Sequence, residues 1–263
     1  MISKDDLQKR THSPWVQTEI GTGHIESTGQ VLQLSIGNAA KQQYSNAQIS
    51  DYNYQSFQFR WRPPVRMSVI ARASVAGNQL RGTAGFGFWN HPFSPDVRAH
   101  RWPRLPQAIW FFFGSPPNDM QLAYDVPGQG WKAAQIDAGR PQALGLIPLA
   151  LPALLFLRIP TVYRRIYPKI QHALAIHEAK LDDKLLAETH KYTIEWRADG
   201  ATFFVDDQAV LKTAAAPRGP CGFIAWLDNQ YAIVTPQGRF GAGVIPIERD
   251  QSLWLDQIVI ESA

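Results

Sequence analysis

The feature that most constrains this chain is a series of short segments in which apolar and polar residues alternate. Gln30–Ile36, Val65–Val75 and Thr83–Asn90 show this alternation in the first half, and Lys191–Arg197 shows it in the second. A period of two places every second side chain on one face of a β-strand. About a dozen such segments, separated by turn residues, predict an all-β chain folded as a two-sheet sandwich or barrel.

The other predicted strands include one that is apolar on both faces. Ala108–Gly114 reads AIWFFFG, which is typical of a central strand covered on both sides. The remaining segments that we interpret as strands are Gln55–Arg62, Met120–Val126, Trp131–Ala138, Ala201–Asp207, Gln208–Ala214, Gly222–Asp228, Tyr231–Thr235 and Leu253–Glu261.

Composition sets the domain count and the expected compartment. The chain has 263 residues, of which 45% are hydrophobic, so we predict one sandwich domain over residues 1–263. Cys221 is the only cysteine, which excludes an internal disulfide. The first ten residues, MISKDDLQKR, contain no apolar run, so we expect a cytoplasmic protein, with a peripheral position at a membrane as the open alternative.

One region breaks the strand pattern. Ala143–Leu157 is almost wholly apolar but too short to span a bilayer of about 30 Å as a helix, and Pro148 and Pro152 interrupt it. Val162–Leu186 then places apolar residues at helical spacing, which predicts an amphipathic helix kinked or restarted at Pro168. We therefore predict a helical insertion in the sandwich at about 141–188.

The basic residues are concentrated in that insertion. The net charge is +4, and the stretch between Asp137 and Glu178 holds five cations and no acid. These cations are Arg140, Arg158, Arg164, Arg165 and Lys169. Two interpretations stay open for 143–175: a helical element with its apolar run buried on the sandwich, or a membrane-surface element. The concentrated charge is not the distributed basic surface of a nucleic-acid binder, so we expect no nucleic-acid partner.

Several motifs carry a family resemblance. His190–Trp196 reads HKYTIEW, a turn at Asp199-Gly200 follows, and a second strand ends in Val205-Asp206-Asp207. The closing segment Leu255–Ile260 reads LDQIVI, and Ala84–Trp89 reads AGFGFW. This arrangement resembles the glycoside hydrolase family 16 branch of the concanavalin-A-like superfamily, over roughly residues 15–140 and 188–263. The resemblance implies a two-sheet jelly-roll sandwich with a concave ligand groove.

The catalytic motif of that family is where the sequence departs. Family members carry two glutamates and an aspartate on one strand as E-x-D-x-x-E, and the corresponding stretch here, Gln107–Gly114, contains no carboxylate. A retaining glycosidase needs two carboxyl groups about 5–5.5 Å apart. We therefore predict that the chain is not a standard family 16 hydrolase. Trp110 and Phe112 in that strand instead favour an apolar groove.

The candidate site residues come from strand ends and the aromatic strands. His91 and Asp228 are the candidate acid–base residues, with an exposed loop histidine and a tight turn as the open alternatives. Tyr44–Tyr52 either lines the groove or covers a sheet edge. The candidate ligand-binding residues are Trp89, Asn90, Trp110, Phe112, Tyr124, Trp226, Asn229, Gln230 and Tyr231.

Three functions are consistent with these residues. The first is binding of a small apolar or amphipathic molecule in the groove, without glycoside hydrolysis. The second is a non-hydrolytic enzyme, such as a lyase, isomerase or cyclase, that acts on an apolar substrate. The third is a lectin-like carbohydrate binder that uses Trp89 and Trp226 as sugar platforms. The histidines show no metal-ligand spacing and we predict no cofactor, with a structural Ca²⁺ near Asp256 left open.

Overall fold

The computed structural model describes residues 15–28, 31–54, 56–92 and 104–262. In these ranges strands form two seven-stranded antiparallel sheets and one small three-stranded sheet. The predicted all-β jelly-roll sandwich is confirmed.

The strands are numbered in chain order. The first sheet consists, from edge to edge, of β1 (Val16–Ile20), β4 (Asn46–Ser50), β14 (Gly222–Asp228), β6 (Thr83–Trp89), β7 (Gln107–Gly114), β9 (Gly130–Asp137) and β10 (His177–Lys180). The second sheet consists of β13 (Gln208–Thr213), β12 (Gly200–Val205), β11 (His190–Arg197), β5 (Val65–Ala73), β17 (Gln251–Ser262), β3 (Val31–Ile36) and β2 (Gly23–Thr28). The small sheet consists of β16 (Phe240–Val244), β15 (Gln230–Val234) and β8 (Asp119–Met120).

The core between the two large sheets is rich in aromatic rings. Phe86 and Phe111 extend inward from the first sheet and Tyr192 from the second, and none of the three is more than 1% exposed. The Tyr192 ring centroid lies 5.3 Å from that of Phe86 and 5.0 Å from that of Phe111, which is edge-contact distance. The period of two in the sequence therefore arises from packing of alternate residues across this layer.

The hairpin that carries the family resemblance forms as expected. β11 pairs with β12 from Tyr192 opposite Val205 to Arg197 opposite Gly200. Trp196 is fully buried and its indole N–H donates to the Pro217 carbonyl at 2.8 Å.

Two predicted strands are wrong. Residues 56–62 form no strand, and only an isolated bridge joins Trp61 to Cys221. The chain turns there because Asn53 Oδ1 accepts from Ser56 N at 2.8 Å and Phe57 has a φ of 45°. The predicted strand Met120–Val126 ends at Met120, where β8 stops pairing with β15.

The insertion is helical, but it is shorter than predicted. It consists of α1 (Pro141–Leu144), a 3₁₀ turn (Ile147–Leu149), α2 (Ala150–Phe156) and α3 (Pro160–Ala173). Pro168 lies inside α3. The helix predicted over Val162–Leu186 ends at Ala173, because His177–Lys180 pairs with β9 as an edge strand. A short 3₁₀ helix then follows at Asp183–Ala187. In the described ranges no helix has both the length and the hydropathy that a bilayer crossing requires.

A buried ion pair holds that edge strand in place. Lys132 on β9 and Glu178 on β10 are 1% and 2% exposed, and their charged atoms lie 2.8 Å apart. Lys132 Nζ also donates to the Met120 carbonyl at 3.0 Å, and the second oxygen of Glu178 accepts from Ala123 N at 2.8 Å. The pair therefore fixes the segment 120–123 as well as β10.

Breaking one half of this pair should cost far more than removing both charges. Lys132→Met leaves a buried carboxylate without its counter-charge, so we expect a loss of about 3–5 kcal/mol in unfolding free energy. Adding Glu178→Gln should recover at least half of that loss, measured by urea unfolding near pH 7. The matched control cycle uses the exposed pair Lys191–Asp207, whose coupling should stay below about 1 kcal/mol. Strictly additive effects in the buried cycle would contradict this account.

Candidate functional site

The candidate site is the face of the first sheet that points away from the core. On β7 the side chains of Phe111 and Phe113 enter the main core, whereas Trp110 and Phe112 lie on the other side. Phe112 forms a separate cluster with Ile224 and Trp226 of β14. Trp89, Trp110 and Met120 pack against that cluster. We call Trp89, Trp110, Phe112 and Trp226 the aromatic floor.

Glycines on β6 make room for the floor. Gly85 lies opposite Trp226 on one neighbouring strand and Phe112 on the other, and Gly87 lies opposite Trp110. A Cβ on Gly85 would come within 2.7 Å of the Trp226 ring, and one on Gly87 would lie 2.6 Å from Trp110 Cβ. The alternation of phenylalanine and glycine in AGFGFW thus fills the core on one face and admits the rings on the other.

Trp110 is the centre of the floor. Its ring centroid lies 5.6 Å from Trp89, 5.7 Å from Phe112 and 5.4 Å from Trp226. These spacings are those of favourable offset or tilted aromatic pairs. The four rings therefore form one continuous apolar cluster across three adjacent strands, in which Phe112 and Trp226 are 5% and 6% exposed and Trp89 and Trp110 are half-buried.

Two of the three indole N–H groups of the floor are already hydrogen-bonded. Trp89 Nε1 donates to the Tyr52 hydroxyl at 2.8 Å, and Trp226 Nε1 donates to Thr83 Oγ1 at 2.9 Å. Because these donors are occupied and Trp226 is only 6% exposed, the half-buried Trp89 presents mainly its ring surface.

His91 lies beside the floor under a layer of aromatic rings. It is 7% exposed, with its ring centroid 4.6 Å from Trp89 and 4.9 Å from Tyr54. Its Nδ1 is 3.3 Å from the Tyr52 hydroxyl, and burial holds the pKa of that tyrosine well above its usual value. The interpretation of His91 as an exposed loop residue is therefore wrong.

Asp228 lies at the other end of the same face. Its Oδ1 accepts from Thr83 Oγ1 at 2.7 Å, from Thr83 N at 3.3 Å and from Gln230 N at 3.1 Å. Burial raises the pKa of Asp228 to about 6, against the opposing effect of these hydrogen bonds. His91 follows the end of β6 at Trp89, and Asp228 pairs with its start. The strand is about 20 Å long at about 3.3 Å per residue. The two candidate acid–base residues thus do not act as a pair.

Two predicted ligand residues serve the backbone instead. Asn229 is fully buried; its Oδ1 accepts from Ser45 N at 2.8 Å, and its Nδ2 donates to the carbonyls of Gln43 and Ile245. Asn90 is 7% exposed and donates to the Leu105 carbonyl at 2.8 Å. The sequence predicts both asparagines as ligand-binding residues, but the hydrogen bonds of their side-chain amides hold loops in place instead.

The other predicted positions lie off the floor. Tyr124 stacks on Tyr163 of α3 at a centroid distance of 5.2 Å, and its backbone N–H donates to Gln171. Tyr231 packs against the main core, and Gln230 is exposed on β15. Of the nine predicted ligand residues, the structure brings Trp89, Trp110, Phe112 and Trp226 together.

Some residues beside the floor are not among those that the sequence predicts individually. Gln48 on β4 lies opposite Trp226, and its amide donates to the Tyr54 hydroxyl at 2.5 Å. Tyr52 and Tyr54 follow β4 and surround His91. The polar and aromatic residues of Tyr44–Tyr52 were the only sequence feature that pointed to this region. The segment contains the inner strand β4 and Tyr52, which lies at the rim of the site.

The acidic groups beside the floor are engaged internally. Glu178 is paired with Lys132, whose ammonium also lies 5.9 Å from the Phe112 ring centroid, and Asp228 is bound by Thr83. Asp256 is exposed on β17 of the other sheet, next to a register shift. Across the described ranges, no three His, Cys, Asp or Glu side chains group in a way that could hold a metal ion.

Comparison with solved structures identifies the fold. A GlcNAcα1-4Gal-releasing endo-β-galactosidase from Clostridium perfringens gives a TM-score of 0.56 at 12% identity, covering 97% of this chain and 60% of that chain. A laminarinase from Flavobacterium sp. UMI-01 gives 0.51 at 12% identity, covering all of both chains. A family 16 endo-glucanase from Bacteroides ovatus gives 0.50 at 11% identity, covering 99% and 100%.

These likenesses establish the architecture. The expected concanavalin-A-like jelly roll, of the type found in family 16 glycoside hydrolases, is confirmed. The chain spans 60% of the length of the endo-β-galactosidase. No protein-family model and no curated protein matches the sequence.

The raised pKa of Asp228 predicts a specific pH dependence of stability. The folded carboxyl, with a pKa of about 6 against an ordinary value of 3.8, binds its proton more tightly than the unfolded one. Its protonation thus stabilises the fold fully below pH 3.8, and that contribution is lost as the pH rises through about 6. Relative to Asp228→Asn, the parent protein should lose up to about 3 kcal/mol between about pH 4 and pH 8.

Urea unfolding of both proteins across this pH range tests that expectation. Asp199→Asn, which removes one carboxylate at an exposed turn, is the matched control for the loss of a single negative charge. A constant difference between the parent and Asp228→Asn would show that Asp228 does not titrate differently in the folded state.

Asn229 should prove essential for stability. Asn229→Ala removes the partner of one buried backbone N–H and two carbonyls, so we expect a loss of about 2–4 kcal/mol in unfolding free energy. The adjacent Gln230→Ala, on an exposed side chain, should change it by less than about 0.5 kcal/mol. Similar denaturation midpoints for the two variants would contradict the assignment.

Proposed function

We propose that the aromatic floor binds a small amphipathic or apolar molecule. The observation that carries this proposal is the continuity of Trp89, Trp110, Phe112 and Trp226 on the outer face of the first sheet. Ligand sites in proteins are mostly apolar surfaces with a few well-placed polar groups. The floor supplies the apolar surface.

The binding energy would come mainly from apolar contact. Because Phe112 and Trp226 are only 5% and 6% exposed, most of the area open to a ligand lies on the half-buried rings of Trp89 and Trp110. Each Å² of this area that a ligand covers would contribute about 25 cal/mol. Because Trp89 and Trp226 have already used their N–H groups, a ligand with a flat apolar face fits this surface better than one that needs many hydrogen-bond donors.

The polar part of the ligand would meet the rim at Tyr54. The Tyr54 hydroxyl accepts a hydrogen bond from Gln48 and retains its own hydrogen for donation to a ligand oxygen. Burial keeps the pKa of Tyr54 above its ordinary value, so this hydroxyl stays a neutral donor near pH 7. A molecule with an apolar body and a hydroxyl or carbonyl at one end satisfies both parts of the site.

A carbohydrate is the second candidate, because the floor contains three tryptophans in a fold whose solved neighbours include a laminarinase and an endo-glucanase. Trp rings bind the apolar faces of sugar rings by the same contacts. Asp228, with a pKa of about 6, is the group best suited to acid–base chemistry if the site is catalytic.

Removing the central ring of the floor should abolish binding of an apolar probe. We expect Trp110→Ala to weaken binding of the uncharged fluorophore 1-N-phenylnaphthylamine at least tenfold, since about 2 kcal/mol of apolar contact is lost. The matched control is Trp254→Ala, a tryptophan on the outer face of the other sheet that stacks under Arg72. Fluorescence titration measures affinity, and thermal unfolding verifies that both variants fold.

A parallel titration with laminarihexaose separates the two candidates. Tight binding of the fluorophore that depends on Trp110, without measurable oligosaccharide binding, supports the amphipathic ligand. Oligosaccharide binding that depends on Trp110 would replace it with the carbohydrate function. Equal losses in the Trp110 and Trp254 variants would show that the floor is not the site.

A further inference from the structure

The insertion carries an exposed apolar surface outside the groove. Six of the eleven exposed large apolar side chains in the described ranges lie between residues 147 and 166, with exposures of 43–65%. We call this surface the apolar patch; it consists of Ile147, Leu149, Leu155, Phe156, Ile159 and Ile166. An apolar concentration of this kind marks an interaction surface.

The inner side of the insertion packs on the sandwich and forms hydrogen bonds with it. Leu157 and Tyr167 are buried, and the Tyr167 hydroxyl donates to the Leu122 carbonyl. Gln171 Oε1 accepts from Tyr124 N at 2.8 Å, and Arg158 Nε donates to the Gln237 carbonyl at 3.3 Å. The interpretation in which the whole apolar run is buried is therefore wrong, because its outer residues have remained exposed after docking.

Unpaired cations accompany the patch. Arg158, Arg164, Arg165 and Lys169 are exposed, and no acidic residue occurs between Asp137 and Glu178. In the part of the chain that the structure describes, none of these four cations forms an ion pair. An apolar surface accompanied by cations that lack an acidic partner is complementary to the interface of a bilayer that contains anionic lipids.

We propose that the apolar patch inserts into the surface of an anionic membrane, with Arg164, Arg165 and Lys169 against the lipid headgroups. The binding is interfacial: Leu155 and Phe156 enter the boundary between headgroups and acyl chains. Their carbonyls accept from Arg158 N at 3.3 Å and from Ile159 N at 3.0 Å, so they have backbone partners, as the apolar environment requires. This proposal is independent of ligand binding at the aromatic floor.

Vesicle flotation with the full chain tests this proposal. We expect vesicles of phosphatidylcholine with about 30 mol% phosphatidylglycerol to bind the protein at least tenfold more strongly than pure phosphatidylcholine. Leu155→Asp with Phe156→Asp should reduce that binding at least tenfold. The control pair Val16→Asp with Ile20→Asp changes exposed apolar residues of β1 and should leave binding unchanged.

A second pair of variants tests the charges. Arg164→Glu with Arg165→Glu should remove the preference for anionic vesicles, whereas Arg218→Glu with Arg249→Glu, an equal charge change at other exposed positions, should keep it. Thermal unfolding confirms that each variant folds.

Three results would overturn the proposal. The first is absence of binding to either vesicle. The second is an equal loss of binding in the patch variants and their controls. The third is self-association that sedimentation detects, that Leu155→Asp with Phe156→Asp abolishes, and that occurs without vesicle binding, since the occupant would then be a second copy of the chain.

Discussion

The pairing of β6 with β7 is the constraint on which the rest of the structure depends. Phe86 and Phe88 enter the core from β6, and the alternate residues Gly85 and Gly87 leave the opposite face open. The floor rings occupy that opening, so core and candidate site are two faces of one strand pair. A shift of one residue in this register would exchange the two faces, placing glycines in the core and phenylalanines over the tryptophans. The packing of the sandwich and the composition of the site therefore cannot vary independently.

The sequence predicted the features that depend on local pattern. Strict alternation in Thr83–Asn90 and Lys191–Arg197 identified strands and their faces. Ala108–Gly114 is apolar on both faces, and it is the structure that separates Trp110 and Phe112 from Phe111. Where the prediction failed, contacts between distant residues decide the structure. His177–Lys180 continues a helical pattern, yet it forms an edge strand because Glu178 is paired with Lys132, 46 residues away. Asn229 resembles a turn residue until its partners, Ser45 and Ile245, are known.

The site is apolar partly because the two carboxyl groups beside it already have partners within the protein. Glu178 is adjacent to the floor through Lys132, but that ion pair is buried and fixes the segment 120–123. Asp228 accepts three hydrogen bonds through one oxygen, and its raised pKa shows that the protein environment disfavours its charge. The outer face of the first sheet is therefore dominated by aromatic rings, although two carboxyl groups lie at its edges.

The segment after β8 connects the two surfaces that we propose to bind ligands. Met120 packs against the floor cluster. A few residues later, the Leu122 carbonyl and the Tyr124 N–H form hydrogen bonds with Tyr167 and Gln171 of α3. The Lys132–Glu178 pair anchors the middle of this short stretch. A displacement of the insertion would therefore be transmitted to the edge of the floor through five residues whose backbone is fixed at several points. Since such a stretch cannot adjust at one end alone, the same backbone contacts set the position of the insertion and the edge of the floor together.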